Sequence, residues 1–168
     1  GDSPKVLACL AGKPMIQHLI DTVDSFHSSK TSIVVGYKSN EVERDVVSQK
    51  KLSFVKQKNQ LGTAHAVKQA LHNIRRNSVA VILYGDVPLV KKNTLNRLIK
   101  SASIGKLSLL TFIKDDPTGY GRIIRGSRKN IQKITEHKDT SSEEKKIREV
   151  NSGILAIKAS LLQQFISK

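Results

Sequence analysis

Between residues 14 and 114 the apolar residues switch repeatedly between the spacing of a helix and that of a strand. This alternation restricts the fold more than any other feature. Parallel strands need a crossover connection between them, and the crossover helix packs back onto a face of the sheet. Residues 14–26 carry Ile16, Leu19, Ile20, Val23 and Phe26 at helical spacing, with Pro14 suited to a first helical turn. "SIVVG" (32–36) reads as a short buried strand, 40–49 as a polar helix and 53–57 as another strand. Residues 63–75 place Ala66, Val67, Ala70, Leu71 and Ile74 on one helical face. "VAVILYG" (79–85) is the clearest strand; a helix over 93–102 follows, with Asn93 as its cap, and then a strand over 107–114. The pattern predicts an α/β chain whose parallel or mixed sheet is covered on both faces.

In such sheets ligands bind beyond the carboxyl ends of the strands. The most apolar strand runs straight into "YGDVPL", so Asp86 falls where a binding crevice belongs. A lone carboxylate there suits a divalent cation, with water and substrate phosphates completing the octahedron. Equally, Asp86 could brace the loop before Pro88. Gly85 permits close approach of a ligand to the backbone. A second such place is "QKNQLGTAHAV" (57–67), where Gly62 and Thr63 start a helix. Free N–H groups at a helix start suit an anion or the polar edge of a base. Gln57 offers both a donor and an acceptor. An ordinary helix start explains the same residues, and His65 reads as structural.

After Lys114 the rhythm changes. "DDPTGYGRIIR" is a glycine-rich turn entering a strand, with Gly119 and Gly121 flanking Tyr120. A strand-like piece over 131–139, an exposed helix or loop over 141–148, a strand over 149–158 and a closing helix over 159–168 complete the chain. Glu136 and Asn151 end or interrupt strands, where they could bond sugar hydroxyls or the turn backbone. With no repeat and no linker-like stretch, residues 1–168 read as a single domain.

Composition removes several function classes. No apolar run approaches the ~20 residues of a membrane span, and no signal peptide opens the sequence. Cys9 is the single cysteine, so no internal disulfide forms; a reducing, cytoplasmic setting is expected. Its spacing to His18, His27, His72 and His137 is not that of a zinc site. Neither a serine–histidine–acid order nor a Walker-type glycine loop is present. The net charge of +15 is spread along the chain: 12 basic against 6 acidic residues in 1–84, and 17 against 8 in 85–168. A nucleic-acid arm would concentrate that charge and interleave aromatics, which make up only 4% of the chain with no Trp. The field still favours polyanionic ligands such as nucleotides.

Taken in order, "PKVLACLAGKPMIQHLIDTV", "QKNQLGTAHAV", "ILYGDVPL", "LLTFIKDDPTGYGRIIR", "ITEHKD" and "EVNSGILAIK" resemble one family across essentially the whole chain. It is the uridyltransferase domain of the bacterial bifunctional N-acetylglucosamine-1-phosphate uridyltransferase / glucosamine-1-phosphate N-acetyltransferase. The resemblance implies a Rossmann-like, three-layer α/β/α nucleotide-diphospho-sugar transferase fold with a mixed sheet. It also implies magnesium-dependent transfer of uridylyl from UTP to N-acetylglucosamine-1-phosphate, with release of pyrophosphate. In that family Asp86 would be a magnesium ligand and Lys5 would contact phosphate. Gln57, Gly62 and Thr63 would recognise uracil, and Tyr84 and Gly85 would line the nucleotide-sugar site. Gly121 by its backbone, and Glu136 and Asn151 by their side chains, would hold the N-acetylglucosamine.

Departures from the family pattern set further expectations. The glycine-rich opening loop and the first strand it follows do not precede Gly1, the downstream metal-binding asparagine is not reached, and no β-helix acetyltransferase domain follows. Ala64 stands where glycine is usual, and Lys58-Asn59 where a pair containing an acid is usual. The chain is therefore expected to be a partial, monomeric uridyltransferase domain with little turnover, no acetyl transfer, an exposed strand edge and marginal stability. Competing readings are a related nucleotidyltransferase of other sugar or base specificity, a basic nucleic-acid-binding module, and a non-catalytic remnant.

Overall fold

A computed structural model of the chain describes residues 3–27, 30–59 and 61–166. A short 3-10 turn at Lys5–Leu7 leads into a tight hairpin of two two-residue strands, β1 (Cys9–Leu10) and β2 (Lys13–Pro14). Its loop residues Ala11 and Gly12 both have positive φ, 48° and 84°, the backbone of a twist-matched two-residue turn. Helix α1 (Met15–Asp24) follows, then β3 (Thr31–Val35), α2 (Ser39–Asp45), β4 (Leu52–Lys56), α3 (Thr63–Ala70), β5 (Val79–Ile82) and α4 (Lys92–Ser103). The second half comprises β6 (Ser108–Ile113), β7 (Arg122–Arg125), β8 (Ile131–Thr135), α5 (Ser142–Lys145), β9 (Glu149–Lys158) and α6 (Ala159–Ile166).

Strand and helix alternate as the apolar spacing predicts, with three local corrections. Pro14 stands just outside α1, in the N-cap position, rather than within its first turn. Asn93 lies inside α4; the cap is Lys91, with no side-chain hydrogen bond to the helix. The helix predicted over 40–49 ends at Asp45, because its following residues find better partners on α1. Val47 donates its N–H to Gln17 Oε1 (2.9 Å) and accepts from Gln17 Nε2 (2.7 Å), while Ser48 and Gln49 both donate to the Asp24 carboxylate at 2.9 Å. A backbone group satisfied from the side has no need of another helical turn.

Two sheets result. β3 and β4 pair in parallel, in register from Thr31↔Leu52 to Val35↔Lys56. The larger sheet has β9 at its centre, antiparallel to β5, β6 and β7, with β8 added beyond β7. Leu19 of α1 and Leu95, Leu98 and Ala102 of α4 pack with Ile154 and Ala156 of β9, while Ile16 and Ile20 pack on Ile33 and Val35 of β3. Leu162 of α6 and Val67 of α3 pack around Ala80 and Ile157. The architecture is therefore helix, sheet, helix. Each fully buried aliphatic side chain contributes about 1.5–3 kcal/mol.

Among the described residues β3 pairs only with β4, and β5 only with β9. Their free edges line one cavity of about 1290 Å3 together with apolar side chains of α1 and α3. An edge unpaired by any other described strand is thus found twice, and both edges line the same apolar slot. Unpaired strand edges beside apolar walls attract other apolar molecules. The dye 1-anilinonaphthalene-8-sulfonate should fluoresce strongly with the folded chain while near-ultraviolet circular dichroism reports intact packing. Fluorescence no stronger than that of the free dye would mean the slot is closed in solution.

Candidate active site

Val79–Ile82 is apolar because β5 is covered on both faces, and the strand stops at Ile82. Leu83, Tyr84 and Gly85 run on beyond it, and Val87 donates its N–H to the Tyr84 carbonyl at 3.0 Å. Asp86 therefore rides in a tight turn beyond the strand's carboxyl end. Gly85 packs closely there, since a Cβ would lie 3.0 Å from Val6 Cγ1 and that side chain would have to give way.

Among the described residues the Asp86 carboxylate finds its partner not in its own loop but near the amino terminus. Lys5 Nζ donates to Asp86 Oδ2 at 2.8 Å, with the lysine side chain 78% and the aspartate 33% exposed. That hydrogen bond, and then the aspartate's charge, raise the Lys5 ammonium above its ordinary value of 10.5; the Tyr120 phenol adds a smaller contribution. An exposed pair of this kind stabilises the fold little. It does place a cation directly on the carboxylate.

Gln57, Gly62, Thr63, Tyr84 and Gly85 gather with Lys5 on the walls of the same cavity. The Thr63 and Tyr84 hydroxyl oxygens are 2.9 Å apart. Gln57 Nε2 contacts the Gly62 carbonyl at 3.3 Å and His65 Nδ1 at 2.8 Å, and His65 Nε2 lies 3.1 Å from Gln69. The histidine is a brace, as the sequence reading holds. Gln57 thus spends its side-chain N–H groups on these two contacts, and its carbonyl oxygen makes neither of them. Gln60, within the same stretch, lies outside the described residues.

A second cluster forms where β7, β8 and β9 meet. Asn151 donates its N–H to the Gly121 carbonyl at 2.9 Å, and a Cβ on Gly121 would stand 2.9 Å from Ile134 and 3.4 Å from Glu136 Oε1. Gly121 must therefore be glycine, and the exposed Glu136 carboxylate lies against it without a hydrogen-bond partner among the described residues. Asn151 Oδ1 accepts from the Gly153 N–H at 2.9 Å.

Sequence reasoning missed the residue that joins the two clusters. Gly153 has φ +80°, and a Cβ there would lie 2.5 Å from the Tyr84 ring. The ring thus rests on the backbone just after Asn151, while its hydroxyl reaches Thr63. "NSG" after a buried Val150 is the only local hint of that turn. Tyr120, which the sequence flanks with Gly119 and Gly121, is held by two contacts. Its ring meets Phe112 edge to face, centroids 5.5 Å apart, and Lys114 Nζ stands 5.5 Å from its centre.

The described residues contain no group of three or more histidine, cysteine or acidic side chains able to hold a metal. One partly exposed carboxylate is, however, what a magnesium ion arriving on a triphosphate needs, since such ions keep waters and phosphate oxygens and take one or two protein carboxylates.

Gly153→Ala strains a positive φ and drives a methyl into the Tyr84 ring, so it should lower stability by about 1–3 kcal/mol and shift the tyrosine near-ultraviolet signal. Urea unfolding and circular dichroism measure both, and an unchanged spectrum would contradict the contact. Near the second cluster, Lys133 first, then the Ser141 N–H and Thr135, lower the Glu144 carboxyl from 4.5 to about 2. Its stabilising effect is therefore present above pH 4.5 and lost as the pH falls from there towards about 2. Glu144→Gln should flatten the fall of melting temperature across that window, and a slope equal to the parent's would count against it.

The family profile described as "MobA-like NTP transferase domain" matches residues 1–148. The chain is similar to the "Bifunctional protein GlmU" of Ruthia magnifica, 46% identical over 165 residues, and to that of Nitrosomonas europaea, 47% identical over 155. These matches cover 98% and 92% of this chain but only 36% and 34% of the relatives, so the chain spans about a third of their length. Among solved structures it is similar to HddC from Yersinia pseudotuberculosis, with TM-score 0.75 and 20% identity over 98% of this chain and 71% of that one. A UDP-glucose pyrophosphorylase complexed with UDP-glucose gives TM-score 0.74 at 17% identity, again covering 98% and 71%.

Proposed function

The chain belongs to the MobA-like NTP transferase domain family, and on that premise we propose that it is a uridyltransferase domain. It joins UTP and N-acetylglucosamine-1-phosphate into UDP-N-acetylglucosamine and pyrophosphate. The observation that carries this reading is Tyr84, which spans from Thr63 on the nucleotide side to Gly153 beside Asn151 on the sugar side. A base-binding edge and a sugar-binding edge so joined suit a nucleotide sugar lying across both. Similarity to the GlmU relatives supports uridine and N-acetylglucosamine as its parts.

In this reading an oxygen of the sugar phosphate attacks the α-phosphorus of UTP, and the bond to pyrophosphate breaks. No covalent nucleophile of the protein is needed, because positioning and neutralisation of charge supply most of the rate. Gln57 by its carbonyl, with Gly62 and Thr63, holds uracil. Tyr84 and Gly85 line the floor between base and sugar. Gly121, Glu136 and Asn151 take the N-acetylglucosamine. Asp86 would hold a magnesium ion, which when bound neutralises the phosphates and orients them. Lys5, whose ammonium rests on Asp86 in this structure, would turn to a phosphate oxygen were that carboxylate to hold the ion.

Calorimetric titration with UDP-N-acetylglucosamine, in magnesium and moderate salt, should show selective binding over UDP-glucose. Equal weak binding of both would reduce the site to a basic surface collecting nucleotides. Asp86→Asn should remove the magnesium dependence of binding and lower any pyrophosphate release by on the order of 10²-fold. Magnesium dependence equal to the parent's would take the ion away from Asp86.

A further inference from the structure

Arg122, at the start of β7, is 1% exposed and one of the largest fully buried side chains of the molecule. A guanidinium keeps its charge at any ordinary pH, and burying a charge is unfavourable unless partners compensate it. Among the described residues no carboxylate pairs with it. Its Nη1 donates to the Tyr120 carbonyl, its Nη2 lies 3.3 Å from His137 Nδ1, and its Nε has no partner. A cation so placed adds little to the fold by itself, which directs attention to what its two contacts hold.

They hold two different turns. Tyr120 closes the turn before β7, where its N–H donates to the Pro117 carbonyl at 3.1 Å. His137 opens the 3-10 turn after β8, where Asp139 donates to the Glu136 carbonyl at 2.9 Å. Arg122 pairs with Thr135 across the two strands, so Gly121 and Glu136 are the next residues along the ladder. Side chains alternate along a strand, and Arg122 therefore lies on the face opposite Glu136. The guanidinium ties the two turns together from beneath, while Gly121 and Glu136 meet above it.

We infer that Arg122, through His137, is a positioning residue that sets the spacing between Gly121 and Glu136 and hence the grip on the sugar. The inference rests on the uridyltransferase reading for its ligand, but the clamp itself does not. For His137 Nδ1 to accept, the imidazole proton must sit on Nε2. Asn can present an amide oxygen near the place of Nδ1, and Leu cannot.

The test compares Arg122→Met, His137→Leu and His137→Asn in the full chain. It reads amide hydrogen exchange of residues 115–121 and 136–140, and affinities for UDP-N-acetylglucosamine and for UDP. Arg122→Met and His137→Leu should speed exchange in both turns together and weaken UDP-N-acetylglucosamine about tenfold while leaving UDP within about twofold. His137→Asn should restore the parent's values. Exchange rising in one turn only, equal behaviour of Leu and Asn, or parallel loss of both ligands would overturn the clamp. Should Arg122→Met fail to fold, the two His137 variants decide the matter. If the parent itself does not bind UDP-N-acetylglucosamine, the uridyltransferase reading fails while hydrogen exchange still judges the clamp.

Discussion

The ladder of β9 is the interaction on which the rest depends. Ten residues long, it pairs with β5 through Leu155–Lys158, with β6 from Glu149 to Ala156 and with β7 at Val150. Only β8 reaches the larger sheet by another route, through β7. Val150, Ile154 and Ala156 are wholly buried, so slipping the register by one residue would turn these apolar groups away from the core. A bidentate bond from Arg125 and one from Thr111, both to the Glu149 carboxylate, fix the start of the strand. Because Asn151 and Gly153 sit on β9, that same register decides where the proposed sugar side of the site meets Tyr84.

Around this rigid sheet the site is built from turns. Asp86, Gly121, Glu136 and Gly153 lie at strand ends or interruptions, where backbone leaves the ladder and side chains gain room. The two halves of the site differ in how they are held. On the nucleotide side hydrogen bonds link Gln57, His65 and Gln69, and a single exposed ion pair joins Lys5 to Asp86. On the sugar side the backbone bond from Asn151 to Gly121 and the buried Arg122 do the holding. The nucleotide half is thus the more easily rearranged by a charged ligand, since its ion pair is open to water and salt.

Much of this was legible in the chain itself. Alternating periods announced strands and helices in the right order, because each element buries one face and the apolar spacing records which. The acid after "VAVILYG" stood out as a candidate because that strand is apolar enough to have only one place in a covered sheet. Failures came where a distant side chain overrode local preference. Helix α2 stops early because Gln17 and Asp24, on another helix, capture the backbone and side chains that follow it. The two-residue hairpin at Ala11-Gly12 was legible in principle but too short to register against the neighbouring helix.

The order of elements, the apolar core faces and the residue types at the candidate site were determined by the sequence alone, since they follow from spacing and from what each side chain can do. Only the tertiary structure decided that Lys5 meets Asp86 across 81 positions, that Gly153 supports Tyr84, and that the edges of β3 and β5 line a common cavity. Those outcomes depend on how sheets twist and pack, and contacts between residues far apart in the chain leave no periodic trace along it.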